Sequence, residues 1–338
     1  MRTLLTILAI SAVLSAGPYA RAQGGKAHEA LSPAPAEGVS DPVPVPSAPV
    51  RRTYVYKTVG DCLIHADVFR PADRQSRPVI LWLHGGALIW GSRTRIQPEQ
   101  LARYGQEGFV VVAIDYRLAP ETKLPAILDD LKDAYTWIRT SGPALFQADP
   151  DRIIVVGHSA GGYLALMAGC TLSPAPRALV SFYGYGDIGG EWCNQPDAYY
   201  SRQTAVSQES ADKAVGSTVL AEAPSGKRWP FYYYCRQQGC WAREVLGEQA
   251  DIDGFCPIRH VTQAFPPTLL LHGGKDTDVP VQQSVQMADE LRRKGIACTL
   301  ITLPDHNHVF DLGRGMEDPL VADAFEQVVS FVKEHSRP

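Results

Sequence analysis

The sequence predicts an α/β fold with a mostly parallel central sheet, helices on both faces of that sheet and a cap-like insertion. Short and almost wholly apolar runs recur along the chain, which is typical of parallel strands covered on both faces. Segments whose apolar residues follow a helical spacing separate many of these runs. From about Gly184 to Phe265 the alternation stops, and the sequence becomes polar, aromatic and rich in cysteine. This stretch is the predicted insertion.

The N-terminus resembles a targeting segment. A positive charge precedes an apolar stretch from Leu4 to Leu14, and Ala20 and Ala22 lie at the spacing that signal peptidase reads. The apolar stretch is too short to span a bilayer. Residues 1–22 are therefore predicted to be a secretory signal peptide, and we expect a secreted or periplasmic protein without stable membrane insertion after cleavage.

A linker is predicted to follow. Residues 23–50 contain six prolines and no apolar stripe of helical period, which indicates an extended spacer. The folded domain is then expected to span residues 51–338, with its insertion at about 184–265. The formal net charge of −4 offers no electrostatic attraction for nucleic acid, so no nucleic-acid partner is expected.

The domain opens with a predicted β-hairpin and continues with strand–helix alternation. Alternating apolar residues around 53–56 and 63–68 indicate the hairpin. Apolar runs predict the remaining strands at residues 78–83, 109–114, 152–156, 178–183, 267–271 and 297–303. Helical spacing and composition predict helices at residues 125–140, 163–168, 281–294 and 323–335.

The pentapeptide Gly157-His158-Ser159-Ala160-Gly161 lies between a predicted strand and a predicted helix. Glycines on both sides of the serine allow a sharp turn, which would expose its hydroxyl above the sheet edge at a helix N-terminus. A serine hydroxyl is a weak nucleophile and needs a base, usually a histidine oriented by a carboxylate. Ser159 is therefore a candidate nucleophile.

The partners of Ser159 must lie at the carboxyl ends of other strands. One such end carries His272, Asp276 and Asp278, and the next carries His306 and His308. The resulting chain order is serine, acid, histidine. The residues by themselves leave open which acid and which histidine take part.

An oxyanion formed by attack of Ser159 on a carbonyl group needs preorganised N–H donors. The backbone N–H of Ala160 is one candidate. A second is expected from the turn after the strand at 78–83, where Gly85 and Gly86 leave the backbone accessible.

Five motifs in order resemble those of α/β-hydrolases of the group that contains hormone-sensitive-lipase-type esterases and bifunctional feruloyl/acetyl-xylan esterases. The motifs are HGGA at 84–87, DYRLAPE at 115–121, GHSAGG at 157–162, HGGKDTDVP at 272–280 and HNHVF at 306–310. The resemblance implies an α/β-hydrolase fold and a serine esterase.

The same resemblance implies a role for individual residues. Ser159 would be the nucleophile, Asp276 the acid and His308 the base. Gly85, Gly86 and Ala160 would form the oxyanion hole, although Ala87 replaces the third glycine of the usual HGGG motif. Asp278 and His306 remain the alternatives for acid and base. No cofactor and no metal is expected.

Four of the seven cysteines, Cys193, Cys235, Cys240 and Cys256, fall in the insertion. In an exported chain, an irregular segment with little core of its own is expected to carry at least one disulfide among them. Cys235 and Cys240 are close enough in the chain to bridge locally, which would leave Cys193 for Cys256. Cys62, Cys170 and Cys298 are expected to be small buried apolar side chains.

The function predicted from these residues is serine carboxylic-ester hydrolysis through an acyl-enzyme intermediate. The substrate would be a short-chain acyl ester or a carbohydrate-linked acetyl or feruloyl ester. A secreted peptidase or amidase of the same fold is the alternative enzyme, and a non-catalytic binding protein is the alternative outside enzymes. The sequence does not indicate an oligomeric state.

Overall fold

The computed structural model describes residues 50–248 and 251–338. The predicted signal peptide and nearly all of the predicted linker lie outside these residues. The first strand begins at Val50, so the last residue of the predicted linker belongs to the sheet. None of the described helices has the length and apolar character needed to cross a membrane.

One sheet of eight strands forms the centre of the domain, in the order β1-β2-β4-β3-β5-β6-β7-β8. β1 and β2 form an antiparallel hairpin, β2 pairs antiparallel with β4, and all later pairs are parallel. The strands are β1 (Val50–Val59), β2 (Cys62–Arg70), β3 (Arg77–Leu83), β4 (Val110–Ile114), β5 (Ala148–His158), β6 (Ala178–Phe182), β7 (Thr268–Gly273) and β8 (Cys298–Leu303). The predicted α/β fold is confirmed.

Ten helices accompany the sheet in the described residues. They are α1 (Pro98–Gln106), α2 (Leu124–Thr140), α3 (Gly142–Phe146), α4 (Ala160–Thr171), α5 (Glu191–Asn194), α6 (Gln208–Lys213), α7 (Ser225–Gln238), α8 (Trp241–Leu246), α9 (Gln282–Arg293) and α10 (Pro319–His335). The short helices α1 and α3 and the four helices of the insertion were not among the predicted elements.

Two cores form because successive residues of a strand point to opposite faces of the sheet. Leu81 of β3 belongs to a core that also contains residues of α2, α4 and α9. Its neighbour Trp82 belongs to a second core, which includes Tyr104 of α1 and Phe325 of α10. The sheet is thus covered on both faces, which explains why its parallel strands have continuous apolar sequences.

The insertion packs onto the core on one face of the sheet. Its helices α5–α8 place Phe231, Tyr232, Trp241 and Val245 in the same core as α2 and α4, all with 5% exposure or less. The described part of the insertion contains no strand of the sheet. Its only strand-like pairing there is an isolated bridge between Ala223 and Gly91.

Among residues 50–248 and 251–338, which include every cysteine, no disulfide is formed, so the expected cross-link in the insertion is absent there. All seven cysteines are free thiols. The four in the insertion are buried in the core that the insertion shares with α2 and α4, so the expectation of an irregular segment with little core is not met. Cys62, Cys170 and Cys298 are only half-buried, contrary to the expectation of fully buried positions.

Candidate active site

The three residues of the predicted triad lie at one edge of the sheet. Ser159 follows β5, Asp276 follows β7, and His308 follows β8. Because β5, β6, β7 and β8 run parallel and are neighbours in this order, their carboxyl ends meet at the same edge. Residues that are far apart in sequence are thereby brought together.

Their side chains form a continuous hydrogen-bonded chain. The Oγ of Ser159 lies 3.0 Å from Nε2 of His308, and Nδ1 of His308 lies 2.6 Å from Oδ2 of Asp276. Both distances are within hydrogen-bond range. The geometry allows the Ser159 hydroxyl to donate to His308 while His308 donates to the carboxylate of Asp276.

Ser159 sits in a strained turn at the start of α4. Its backbone has φ 54° and ψ −118°, which is unusual for a residue with a side chain. Its N–H donates to the carbonyl of Phe182 in β6, which anchors the turn to the sheet. Since Ala160 is the first residue of α4, its N–H belongs to the first turn and has no acceptor within the helix.

Asp276 is held in its charged form. Its side chain is fully buried, and burial alone would raise the pKa of this carboxyl group. Hydrogen bonds with His272 and His308 outweigh burial and hold the pKa of Asp276 well below its usual range. The backbone N–H groups of Asp278 and Val279 also donate to Asp276 Oδ1, each at 2.8 Å.

His272 is a buried neighbour of this acid. Its Nε2 lies 3.1 Å from Oδ2 of Asp276, and its Nδ1 lies 2.7 Å from the hydroxyl of Ser284. His272 therefore holds the loop that carries Asp276, and none of its hydrogen bonds involves Ser159.

The electrostatic environment of His308 favours its protonated form. Burial lowers the pKa of His308, but the hydrogen bond to Asp276 and the negative charge of Asp278 outweigh burial. The pKa of His308 is consequently raised above the ordinary histidine value. A base with a raised pKa accepts the serine proton more readily, provided that it is neutral beforehand.

The structure separates the residues that the sequence left as alternatives. His306 points to Asp318, with Nε2 at 3.1 Å from Oδ2, and has no hydrogen bond to Ser159. Asp278 Oδ2 lies 3.5 Å from Nε2 of His308, the nitrogen that faces the serine. The nitrogen Nδ1, which an orienting acid must hold, is occupied by Asp276.

The predicted oxyanion turn lies against the nucleophile. A Cβ on Gly85 would come within 2.8 Å of the carbonyl oxygen of His158, and Gly86 has φ 118°. Both positions therefore exclude larger residues. Ala87 also has positive φ, 54°, a conformation that costs a residue with a side chain about 1–2 kcal/mol.

A cleft of about 310 Å³ opens above Ser159. Gly85, Gly86, Ser159 and His308 form its base. Seven aromatic residues line it, namely Trp82, Trp90, Tyr183, Tyr199, Tyr200, Trp229 and Tyr233. Trp229 and Tyr199 are 38% and 44% exposed, so they border the entrance.

A second, much smaller cavity is also lined by Ser159. Its volume is about 10 Å³, the space of a single water molecule. Tyr185, Trp192, Tyr232 and Trp241 enclose it, and Arg236 and Asp278 also line it. Ser159 thus lines both an open aromatic cleft and a nearly filled pocket.

The insertion contributes part of the lining of both spaces and is tied to the sheet edge that carries Ser159. Trp241 donates its indole N–H to the carbonyl of Ala87 in the oxyanion turn, at 3.1 Å. Arg228 forms a buried ion pair of 2.6 Å with Glu121, the last residue of the DYRLAPE motif. Arg236 donates to Asp278 and to Asp197, at 3.2 and 2.8 Å.

A larger groove, of about 720 Å³, lies elsewhere, beside Val50, Arg70 and Phe146. Ser159, Asp276 and His308 do not line it, so it carries none of the chemistry described above. The cleft of about 310 Å³ above Ser159 is the candidate active site.

Sequence reasoning missed several residues around this site. Arg236 and Tyr232, which contact Asp278, lie in the insertion, where no motif points to them. Asp311, which is 1% exposed and close to His158, lies three positions after His308. A charged residue so near a motif histidine is the one signal that could have identified it.

Comparison with protein families matches residues 66–291, more than half of the chain, to the BD-FAE family model, the bifunctional feruloyl/acetyl-xylan esterase-like group. Among curated relatives, the non-reducing polyketide synthase ausA of Aspergillus calidoustus is 30% identical over 336 residues. The match covers 81% of this chain and 14% of that protein, so the chain spans a small part of this relative's length.

Solved structures share the fold. An α/β-hydrolase superfamily protein from Enterococcus faecalis is 24% identical, with a TM-score of 0.67, and the match covers 84% of this chain and 99% of that one. A thermophilic esterase from Thermogutta terrifontis, solved with butyrate bound, is 24% identical, with a TM-score of 0.62 over 84% of this chain and 94% of the other.

Proposed function

Since the chain belongs to the BD-FAE family of α/β-hydrolase esterases, we propose that it hydrolyses carboxylic esters through Ser159, His308 and Asp276 with an acyl-enzyme intermediate. The observation that carries this proposal is the hydrogen-bonded chain from Ser159 Oγ through His308 to Asp276, with distances of 3.0 and 2.6 Å. This arrangement provides a nucleophile, a base and an orienting acid.

In the first half of the reaction, His308 Nε2 takes the proton of Ser159 as Oγ attacks the ester carbonyl. The negative charge on the carbonyl oxygen is stabilised by the N–H of Ala160 and by N–H groups of the Gly85–Gly86 turn. Protonated His308, stabilised by Asp276, then gives its proton to the leaving alcohol. In the second half, His308 takes a proton from a water molecule, whose oxygen attacks the acyl carbon. The bond to Ser159 Oγ then breaks, the carboxylic acid leaves, and His308 returns the proton to Oγ.

We further propose that the acyl group is small and that the alcohol part is large. The cavity of about 10 Å³ beside Ser159 accepts a group the size of a methyl, as in an acetyl ester. The aromatic cleft of about 310 Å³ suits a sugar or an aryl ring, because flat aromatic faces pack against both. An acetylated carbohydrate fits these two spaces best, and a feruloyl group would have to occupy the open cleft.

The catalytic role of Ser159 is tested by Ser159→Ala with 4-nitrophenyl acetate. The variant is expected to fold normally and to lose about 10⁴-fold or more in kcat, since the remaining donors supply only part of the rate. A variant within about tenfold of wild type would refute the proposed nucleophile.

Substrate class is tested by comparing acetyl, butyryl, longer acyl and feruloyl esters with a peptide amide. We expect kcat/KM to fall as the acyl chain lengthens. Turnover of the amide above that of every ester would favour the peptidase alternative. Binding of all these compounds without a burst of product would favour a non-catalytic binding protein.

We also propose that the chain is exported, because residues 1–22 have the pattern of a signal peptide. N-terminal sequencing of protein recovered from periplasm or medium is expected to begin at Gln23. Protein found only inside the cell, with Met1 or its neighbour at the N-terminus, would contradict export.

A further inference from the structure

A second histidine–carboxylate pair lies beside the proposed triad. His158 directly precedes Ser159, and Asp311 lies three residues after His308. The His158 Nε2 atom is 3.0 Å from Asp311 Oδ2, with side-chain exposures of 5% and 1%. The contact is close without being aligned as a hydrogen bond. The proposed mechanism does not use either residue.

Asp311 also collects hydrogen bonds from two further elements. The hydroxyl of Tyr183, directly after β6, donates to Oδ1 at 2.6 Å. The side-chain amide of Gln100, in α1, donates to Oδ2 at 2.6 Å. Burial alone would raise the pKa of Asp311, but the neighbouring His158 and these hydrogen bonds outweigh burial and lower the pKa. A charged carboxylate therefore holds together the end of β5, the end of β6, α1 and the loop after β8.

This network reaches the base of the proposed triad directly. The ring of Tyr183 meets the ring of His308 edge-on, with centroids 4.7 Å apart. On the other side, the ring of His158 stacks on Phe182 at 4.3 Å. The Tyr183 backbone has φ 38°, so its ring is carried by a turn with a constrained conformation.

We propose that Asp311 and His158 are a positioning pair that sets the distance between Ser159 and His308. The pair joins the same two loops that carry nucleophile and base, and it joins them at the neighbouring residues. The other hydrogen bonds of the loop after β8 tie it mainly to the loop that carries Asp276, through His308 and Asn307, whereas Asp311 ties it to the end of β5 beside Ser159. The inference rests on the proposed ester hydrolysis.

The test uses Asp311→Asn, His158→Gln and the double variant in the full chain with 4-nitrophenyl acetate. Asparagine keeps the shape of Asp311 but places an amide N–H group against Gln100 or His158. We expect each single variant to lose about 10- to 100-fold in kcat, since small displacements of a base are costly. In Asp311→Asn, KM should stay within about twofold of wild type, because Asp311 lines neither the cleft nor the proposed acyl pocket, whereas His158 borders the cleft. The double variant should be no worse than the poorer single variant, as expected for residues that act as one unit.

Two measurements separate positioning from general stability. Titration with diethyl 4-nitrophenyl phosphate counts competent serines, and we expect about one nitrophenol per chain, released slowly, in every folded variant. Asp130→Asn is the control, because Asp130 is also fully buried and ion-paired, with Arg117, but does not line the cleft. It should lower the Tm and leave kcat unchanged.

The outcomes are distinct. A kcat within about twofold of wild type in Asp311→Asn, or additive losses in the double variant, would overturn the positioning pair. If Asp311→Asn does not fold, His158→Gln still removes the other member of the pair, and an unchanged kcat in that variant overturns the proposal equally. A wild type that does not hydrolyse 4-nitrophenyl acetate overturns the proposed ester hydrolysis itself, whatever the variants do.

Discussion

His308 stands between two carboxylates, and this arrangement sets its titration. Asp276 lies 2.6 Å from Nδ1, and Asp278 lies 3.5 Å from Nε2. Burial lowers the pKa of His308, but these two acids outweigh it and raise the pKa. Because the base acts only when neutral, kcat/KM should fall with decreasing pH along a limb above the ordinary histidine pKa of about 6.5.

Removing the negative charge of Asp278 should shift the acidic limb of the kcat/KM profile to lower pH. Asp278→Asn takes away a negative charge near Nε2 and leaves Arg236 less well compensated. Both effects disfavour protonated His308, so its pKa and the acidic limb should shift to lower pH. Profiles of kcat/KM between about pH 5 and 9 measure the shift. Asp305→Asn, at an exposed ion pair with Lys275, is the control, and a limb that stays in place or rises in Asp278→Asn would contradict the argument.

At the scale of elements, two of the three tryptophans of the insertion, Trp229 and Trp241, have different roles. Both lie in the predicted insertion, and the sequence does not distinguish their roles. Trp241 of α8 is 2% exposed and packs in the core, whereas Trp229 of α7 is 38% exposed and borders the cleft. Only the exposed one is placed to contact the larger part of a substrate.

The two tryptophans should therefore respond differently to truncation. Trp241→Ala should lower the free energy of unfolding by about 3–5 kcal/mol, because it leaves a large cavity. Trp229→Ala should change the unfolding free energy by less and should alter the ranking of esters with different alcohol groups. Urea unfolding and a panel of acetyl esters measure both. An unchanged ranking in Trp229→Ala would assign that side chain to packing alone.

The attachment of α7 to the domain depends on a buried ion pair. Arg228 and Glu121 lie 2.6 Å apart with side-chain exposures of 5% and 0%. Glu121→Gln should cost about 3–5 kcal/mol, because it leaves a buried guanidinium without its counter-charge. Glu209→Gln, which breaks an exposed pair with Lys213 on α6, should cost at most about 1 kcal/mol. Equal losses in urea unfolding would show that burial does not decide the strength of these pairs.

At the scale of the whole molecule, one buried histidine couples folding to pH. His84 stacks on Tyr116 with ring centroids 4.1 Å apart, and burial lowers the pKa of His84 to about 4. The folded chain therefore keeps His84 neutral, while the unfolded chain protonates it below about pH 6.5. Stability from this residue is complete above that pH and is lost as the pH falls from 6.5 towards 4.

The expected loss is about 2 kcal/mol between pH 7 and pH 5, by linkage. Urea unfolding at both pH values measures it, and His84→Asn should show a smaller difference. Burial raises the pKa of Asp115 to about 6, so Asp115 makes the folded chain more stable as the pH falls. Because Asp115 is present in both wild type and His84→Asn, its effect cancels when their pH dependences are compared. An identical pH dependence in wild type and variant would contradict the assignment to His84.

The sequence by itself determined the sheet, the strained serine turn, the paired glycines and the order of serine, acid and histidine. These features are local, because they depend on periodicity and on residue types a few positions apart. The strand ends at Leu83 and His158 lie where the apolar runs predicted them, give or take a few residues.

Only the tertiary structure decided which of His306 and His308 faces Ser159, and which of Asp276 and Asp278 holds Nδ1. It also decided that the cysteines of the insertion are buried thiols and that Asp311 meets His158. Each of these facts depends on contacts between residues that are far apart in the sequence or lie in different loops. Such distances follow from the order β5-β6-β7-β8 and from how the insertion packs on that edge, and neither is a property of any local stretch of sequence.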